Sequence, residues 1–364
     1  MMRFSDIPHV RLANLGLSRP VGRTPAVMVS WLGAMQAQDF AGAKWSLGLR
    51  LWPASDAAIE DVFNRGDILR THVLRPTWHF VTPADARRLL ALTAPRVHVT
   101  NGSMYRLLEL DEETLGRSAE AMTRALSGGR QLIRNELKDV LEVAGIPTAG
   151  GRDRSGQRLA YILMWAELEG LIISGPRRGK QFTYMLLDER VPATPPMPRE
   201  EALAELIRRY YQSHGPATAA DLSRWSSLTL ADVRQGLQAA GSALHREEIE
   251  GQTYWFTDPA PPQAQPSPTA YLMSIYDEYT IGYKDRSAIG EAEHGERMQA
   301  LGNALQNVII LDGQIAGTWR RDVTKSAVTV ELNLFRSLSD GERAAVGKAA
   351  EQYGEFLGKT SEVF

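Results

Sequence analysis

Between residues 118 and 258 one pattern occurs twice, and this repeat restricts the fold more than any single motif. The first copy predicts helices over 118–126, 131–143 and 157–169. Short strands follow over 171–174 and 182–187, around Gly175-Pro176-Arg177-Arg178-Gly179-Lys180. The helices rest on apolar residues at helical spacing, as in Leu159, Ile162, Leu163, Ala166 and Leu168. The second copy predicts helices over 199–212, 219–225 and 230–240, with strands over 244–249 and 253–256 turning at Glu250-Gly251. Thr218 and Thr229 stand where N-caps belong, since a side-chain oxygen there accepts an orphan helix N–H. Three helices and a hairpin make a winged helix.

On that template the first hundred residues read as a divergent third copy. Helices are expected over 10–16, 25–35 and 57–65, with a hairpin of strands 68–73 and 77–81 turning at Leu74-Arg75-Pro76. Proline-rich stretches at 192–198 and 259–268 read as linkers, because proline lacks the backbone donor a helix needs. From about residue 270 the pattern becomes strands around a helix: strands over 270–276, 308–311, 314–320 and 327–335, and a helix near 294–305. Asp312-Gly313 supplies a two-residue hairpin turn, and Ser339 caps a last helix running to Leu357. The expected class is α+β, with tandem winged-helix (helix-turn-helix) repeats and a C-terminal mixed α/β domain containing an antiparallel sheet and hairpin. The units are 1–117, 118–197, 198–258 and 259–364.

A chain of 364 residues is long enough for two or three domains at roughly 100–200 residues each. Its composition, 43% hydrophobic and 23% charged, is that of a globular protein with sizeable cores. The absence of cysteine excludes disulfides, thiolate nucleophiles and cysteine-ligated metal centres. No apolar run approaches the ~18 residues that span a bilayer, so a cytoplasmic, nucleoid-associated protein without membrane contact is expected. With a net charge of -2, any DNA-binding face has to come from local arrangement.

Gln36-Ala37-Gln38-Asp39 sets two amides and a carboxylate in an apolar run formed by Leu32, Ala34, Met35, Ala37 and Phe40. Burying an unpartnered amide costs roughly 1–3 kcal/mol, so polar groups here need a reason. They are expected at the C-terminal end of the second helix or just beyond it. Basic residues gather in the first clear copy at Arg152, Arg154, Arg158, Arg177, Arg178 and Lys180, against Asp153, Glu167 and Glu169. Each phosphate contact they make would add counterion-release affinity. A second basic element, Trp319-Arg320-Arg321-Asp322-Val323-Thr324-Lys325, connects two expected strands and would probe a groove, or else be a solvated hairpin tip. There is no Walker loop, Gly-x-Ser-x-Gly elbow or His-Glu-x-x-His helix. His72 and His79 lack an evident third ligand, so no metal is expected.

Gly33-Ala34-Met35-Gln36-Ala37-Gln38-Asp39, Leu74-Arg75-Pro76-Thr77-Trp78-His79-Phe80-Val81 and Asp277-Glu278-Tyr279-Thr280-Ile281-Gly282-Tyr283-Lys284-Asp285-Arg286-Ser287 together resemble the AlkZ/YcaQ family of winged-helix DNA glycosylases. The likeness covers nearly the whole chain. It implies excision of N7-alkylated guanine, and in some members the unhooking of interstrand crosslinks, by a glutamine–apolar–glutamine element that maps onto Gln36 and Gln38. Members of the YcaQ branch have aspartate as the second polar residue, so this chain is similar to the AlkZ branch.

The resemblance further implies a cofactor-free, monofunctional enzyme acting as a monomer on double-stranded DNA with alkylated or crosslinked guanine. Its open concave surface would approach the lesion with the duplex largely intact. Asp39 is a second candidate as general base; it could equally cap a helix or pair with Lys44 or an arginine. Lys284 is the main challenger to that monofunctional reading, since a lysine in an apolar setting can form a Schiff base. Expected DNA contacts are Arg75, Thr77, His79, Arg177, Arg178, Lys180, Lys284, Arg286, Arg320, Arg321 and Lys325, and Trp78 and Tyr279 would line the approach surface. Two other readings fit the residues: a winged-helix regulator whose glutamines only satisfy helix-terminal backbone groups, and a protein-interaction scaffold with no salt-dependent DNA affinity.

Overall fold

A glycine decides how the chain enters the motif. In the computed structural model, which describes residues 2–149, 156–193, 195–258, 267–290 and 306–364, the second helix is Pro25–Leu32 and stops at Gly33 with φ +82°. Only glycine adopts that conformation cheaply, so the helix ends three residues short of the expected Met35. The chain leaves as a two-residue strand, Met35–Gln36, paired antiparallel to Trp78–Val81 with Gln36 opposite His79. Leu69–His72 pairs with the other edge of Trp78–Val81, completing a three-stranded sheet. The glutamine motif therefore begins on a sheet edge.

Two helices were hidden from the sequence pattern. Phe40–Arg50 is buried at nearly every position, including Lys44, Trp45, Ser46 and Arg50, and a helix buried all round shows no 3.6-residue apolar stripe. Pro83–Leu107 runs 25 residues with Pro95 inside it, and an internal proline reads as a breaker. Both join the N-terminal unit to its neighbours.

The repeated segments follow the expected order. The first comprises Glu112–Leu126, a short strand Leu132–Ile133, Arg134–Val143, Gln157–Leu168 and the strands Ile172–Ser174 and Thr183–Leu186. The expected boundary at residue 117 thus falls within a helix. The second comprises Arg199–His214, Ala219–Ser226, Leu230–Ala240 and the pair His245–Ile249 with Gln252–Phe256. Thr218 and Thr229 cap as expected, each hydroxyl accepting from an N–H while Asp221 and Asp232 close the capping box. Of the expected features, Arg152, Asp153, Arg154, the helix near 294–305 and most of the 259–268 stretch lie outside the described residues.

Five strands form the last sheet, in the spatial order Ala270–Met273, Val308–Leu311, Gln314–Val323, Ala327–Leu334 and Thr360–Val363. Asp312 and Gly313 both take positive φ and turn the first hairpin tightly. Gln314–Val323 is longer than expected: Arg320, Arg321 and Asp322 pair in register with Glu331, Val330 and Thr329, so they lie on the strand and the tip lies beyond Val323. Ser339 caps the helix Asp340–Leu357. The chain then returns as Thr360–Val363, parallel to Ala327–Leu334, a strand absent from the sequence reading.

The units share cores. Trp45 packs edge-on to Tyr353 and beside Phe356, and its indole N–H donates to the Leu272 carbonyl at 2.6 Å. A second core joins Leu69, Leu89 and Leu90 to Ile173, Leu203, Ile207 and Trp225. The architecture is a mixed α/β fold with antiparallel sheets, in which the N-terminal unit is wedged against all the others.

Candidate active site

The two glutamines differ in setting. Gln36 is buried, with 6% of its surface exposed. Its backbone N–H donates to Glu278 Oε1 at 2.9 Å, and its side-chain Oε1 accepts from Arg75 Nη2 at 2.6 Å. Gln38 is exposed, its Oε1 accepting from the Trp78 backbone N–H at 3.3 Å. Neither side-chain NH2 group donates to a protein acceptor among the described residues. A carbonyl oxygen has two lone pairs, so each amide keeps an acceptor site for a water as well as its donors.

Glu278, within the Asp277–Ser287 motif, is the anchor, a role that nothing in its local sequence signals. It is fully buried on the short helix Glu278–Ile281. Oε2 accepts from Trp225 Nε1 at 2.9 Å and faces His214 Nε2 at 3.3 Å, while Oε1 takes the Gln36 N–H. One carboxylate thus ties the motif strand to the helices Ala219–Ser226 and Arg199–His214. Next to it, Asp277 holds Arg50 through two hydrogen bonds of 2.7 and 2.8 Å. Burial opposes ionisation of Asp277, but the Arg50 charge and hydrogen bonds outweigh it and hold the carboxyl below the usual carboxylate range.

From the other side the strand is held by Arg70, which donates to the Ala37 carbonyl at 2.9 Å and lies over Trp78 and Phe182 at 4.2 and 4.3 Å. Burial pushes its guanidinium down to about 10. Trp78 also lies tilted against His72, with ring centroids 4.3 Å apart, and His72 Nδ1 pairs with the buried Glu167. His72 and His79 fall on neighbouring strands as expected, yet each is engaged separately. His79 is fully buried, with Nδ1 on the Thr77 carbonyl at 2.9 Å. Burial, then the Arg75 charge, keeps it well below the usual imidazole range and therefore neutral near pH 7.

Asp39 precedes the helix Phe40–Arg50 without capping it through its side chain. Lys44 pairs instead with Asp56 and Glu60. The partner of Asp39 is Arg321, at 3.5 Å, so the long hairpin reaches back to the motif. A long, half-exposed pair of this kind is worth at most about 1 kcal/mol. Asp39→Asn is expected to unfold within that margin of wild type in urea, and to retain most catalytic activity if the amides rather than the acid carry it. A loss as large as that of a glutamine variant would reverse the assignment.

The other expected DNA contacts fall into two groups. Lys180, Lys284, Arg320 and Lys325 are exposed, Arg286 and Thr77 are half-buried, and all but Lys180 and Lys325 belong to elements adjoining the motif. Lys284 is not in an apolar setting, and among the described residues only its backbone N–H is engaged, on Asp221 at 2.7 Å. Arg177 and Arg178 are tied internally: Arg177 packs over Phe40 and Phe182 and donates to the Lys180 carbonyl, while Arg178 bonds Glu136 and the Gln131 carbonyl. His79 is too deep to touch a phosphate, and Tyr279 is core, its hydroxyl donating to the Gly313 carbonyl at 2.7 Å. Among the described residues no group of three His, Cys, Asp or Glu is placed to hold a metal, and no helix is long and apolar enough to cross a membrane.

The chain as a whole has known relatives. The family model for DNA glycosylase AlkZ-like proteins matches residues 29–356. A relative from Streptomyces sahachiroi, an interstrand DNA cross-link repair glycosylase, is 25% identical over 345 residues, spanning 92% of this chain and 90% of its own. The solved structure of Streptomyces sahachiroi DNA glycosylase AlkZ matches with a TM-score of 0.80 at 20% identity over 100% of both chains, a likeness of fold. The class of protein is therefore a DNA glycosylase. The chain belongs to the AlkZ-like family.

Proposed function

We propose that this enzyme hydrolyses the N-glycosidic bond of N7-alkylated guanine in duplex DNA, without cofactor, and unhooks interstrand crosslinks built on such adducts. The repeated three-helix units, read as tandem winged helices over 1–117, 118–197 and 198–258, would carry the duplex across the motif as a monomer. The observation that carries the reading is an exposed amide, Gln38, beside a second amide held rigidly by Glu278 and Arg75.

The chemistry suits groups that do not titrate. N7-alkylguanine already bears positive charge, so when the C1′–N9 bond breaks its electron pair neutralises the departing base. Positive charge develops on the deoxyribose, and the Gln38 carbonyl, whose protein partner is a neutral N–H, stabilises it as a fixed dipole. Gln36 shares its oxygen with the Arg75 cation, which suits it less to that task and more to positioning the water that forms the new C1′–O bond. The proton released passes to solvent or Asp39. The products are neutral alkylguanine and an abasic site, and no lysine takes part, which makes the enzyme monofunctional.

Incubation with a duplex carrying a single N7-methylguanine should yield abasic sites, scored by alkaline cleavage. A wild-type protein inert on this duplex and on a crosslinked one would overturn the proposal.

A further inference from the structure

Near Gln36 the protein gathers positive charge that it does not neutralise. Arg75 lies on the turn before Trp78–Val81 and bonds Gln36. Arg286 follows Glu278 on the same segment, and Arg224 precedes Trp225, whose indole N–H reaches Glu278. Lys284 N and Asp285 N both donate to Asp221 Oδ1, at 2.7 and 3.3 Å, and Asp221 lies one turn before Arg224 on Ala219–Ser226, so Arg286 and Arg224 start from adjoining backbone, while Trp225 and Gln36 share the Glu278 carboxylate. That carboxylate is already committed, its oxygens occupied by Gln36 N, Trp225 Nε1 and His214.

The side chains show the consequence. Arg75 Nε and Arg286 Nε are buried and lack a hydrogen-bond partner. Among the described residues, Arg224 and Arg286 have neither an ion pair nor a side-chain hydrogen bond, and Arg224 is exposed. Burial, then the Arg224 charge, lowers the Arg286 guanidinium; Arg75 is lowered mainly by burial, with Glu278 opposing and Arg224 adding to the shift. Arg50 and Arg209, by contrast, are matched, with Asp277 and Asp85. Unpaired guanidinium groups on adjoining elements are stabilised by an anion from outside, and their forked N–H groups fit phosphate oxygens.

We propose that Arg224, Arg286 and Arg75 form a phosphodiester-binding site that seats one backbone phosphate of the DNA next to Gln36. The proposal rests on the reading of the site as DNA-facing and assigns to Arg224, on the third repeated unit, a contact that links that unit to the motif. Phosphate contacts fix register without reading sequence, which is what a site for a scarce lesion in any sequence needs.

The test is binding of undamaged duplex, followed by fluorescence anisotropy across a salt series, for wild type, Arg224→Gln, Arg286→Gln and Arg224→Lys. Each glutamine variant should bind several-fold more weakly at low salt, and its slope of log affinity against log salt should fall by about 0.9 for the lost contact on duplex DNA. Arg224→Lys should recover the slope. Melting temperatures at or above wild type are expected, because a repelling charge is removed. Wild-type slopes in both glutamine variants would overturn the site, as would their slope loss appearing only with a lowered melting temperature. The readout needs no base excision, so a failure of the proposed lesion chemistry leaves this result separately legible.

Discussion

Gln38→Ala is expected to lower the single-turnover excision rate about 10²–10³-fold, the range seen when one preorganised dipole is removed from a developing charge. The side chain is exposed and makes one long hydrogen bond, at 3.3 Å to Trp78 N. Its loss should change unfolding free energy by no more than about 0.5 kcal/mol and leave affinity for undamaged duplex unchanged. Gln36→Ala should lose rate too, with some loss of stability, because it strips Arg75 of a partner and opens space beside Ala37. Neither amide titrates, so the wild-type rate should be flat across neutral pH, with His79 held neutral by burial and by Arg75. Equal rates in wild type and the Gln36→Ala, Gln38→Ala double variant would remove the amides from the mechanism while leaving the family assignment intact.

Arg50→Ala is expected to have the largest effect on stability. Its guanidinium is wholly buried, bonded to both Asp277 oxygens and to the Leu15 and Ser46 carbonyls. Removing one member of such a pair costs about 3–5 kcal/mol, since the other charge remains buried alone. The pH dependence follows from the depressed Asp277 carboxyl. A folded-state pKa below the unfolded value of about 3.9 contributes stability that is complete above that pH and is lost as pH falls through the folded-state value. The raised Arg50 pKa contributes stability lost only on the far alkaline side. Urea midpoints for wild type and Arg50→Ala should therefore differ most at neutral pH and converge below about pH 4. A constant difference down to acid would show that the pair is not what holds this segment. Because Glu278 follows Asp277 directly and holds Gln36, the Arg50 variant should also lose activity at temperatures where it remains folded.

Much of the fold was legible because its signals are local. The caps at Thr218, Thr229 and Ser339 and the Asp312-Gly313 turn depend on a few adjacent residues and stand where the sequence predicts. What escaped was set by distant packing. Phe40–Arg50 shows no stripe because every face is covered, partly by the C-terminal helix through Tyr353 and Phe356. Thr360–Val363 alternates too weakly to announce a strand, and it forms because Ala327–Leu334 offers an open edge.

The site divides in the same way. Gln36, Gln38 and Asp39 stood out as polar residues in an apolar run, and the family resemblance gave them a role. Their unequal exposure was not legible: a sheet edge that ends at Gln36 buries one amide and releases the other. Glu278 and Arg224 carried no local signal, because an acid in a short helix and an arginine on a solvated turn of helix are ordinary. They matter through partners 242 and 53 residues away, Gln36 for Glu278 and Trp225 against Glu278 beside Arg224.

The sequence by itself determined the repeated helix-and-hairpin order, the absence of cysteine chemistry and the amide motif, all properties of residue types and short spacings. Tertiary structure alone decided which amide meets solvent, that Asp39 faces Arg321 rather than Lys44, and that Arg75 is bonded to Gln36. The physical reason is range. Capping and turn formation act over a few residues, whereas burial, ion pairing and the field of a charge cluster depend on what packing brings within a few ångströms.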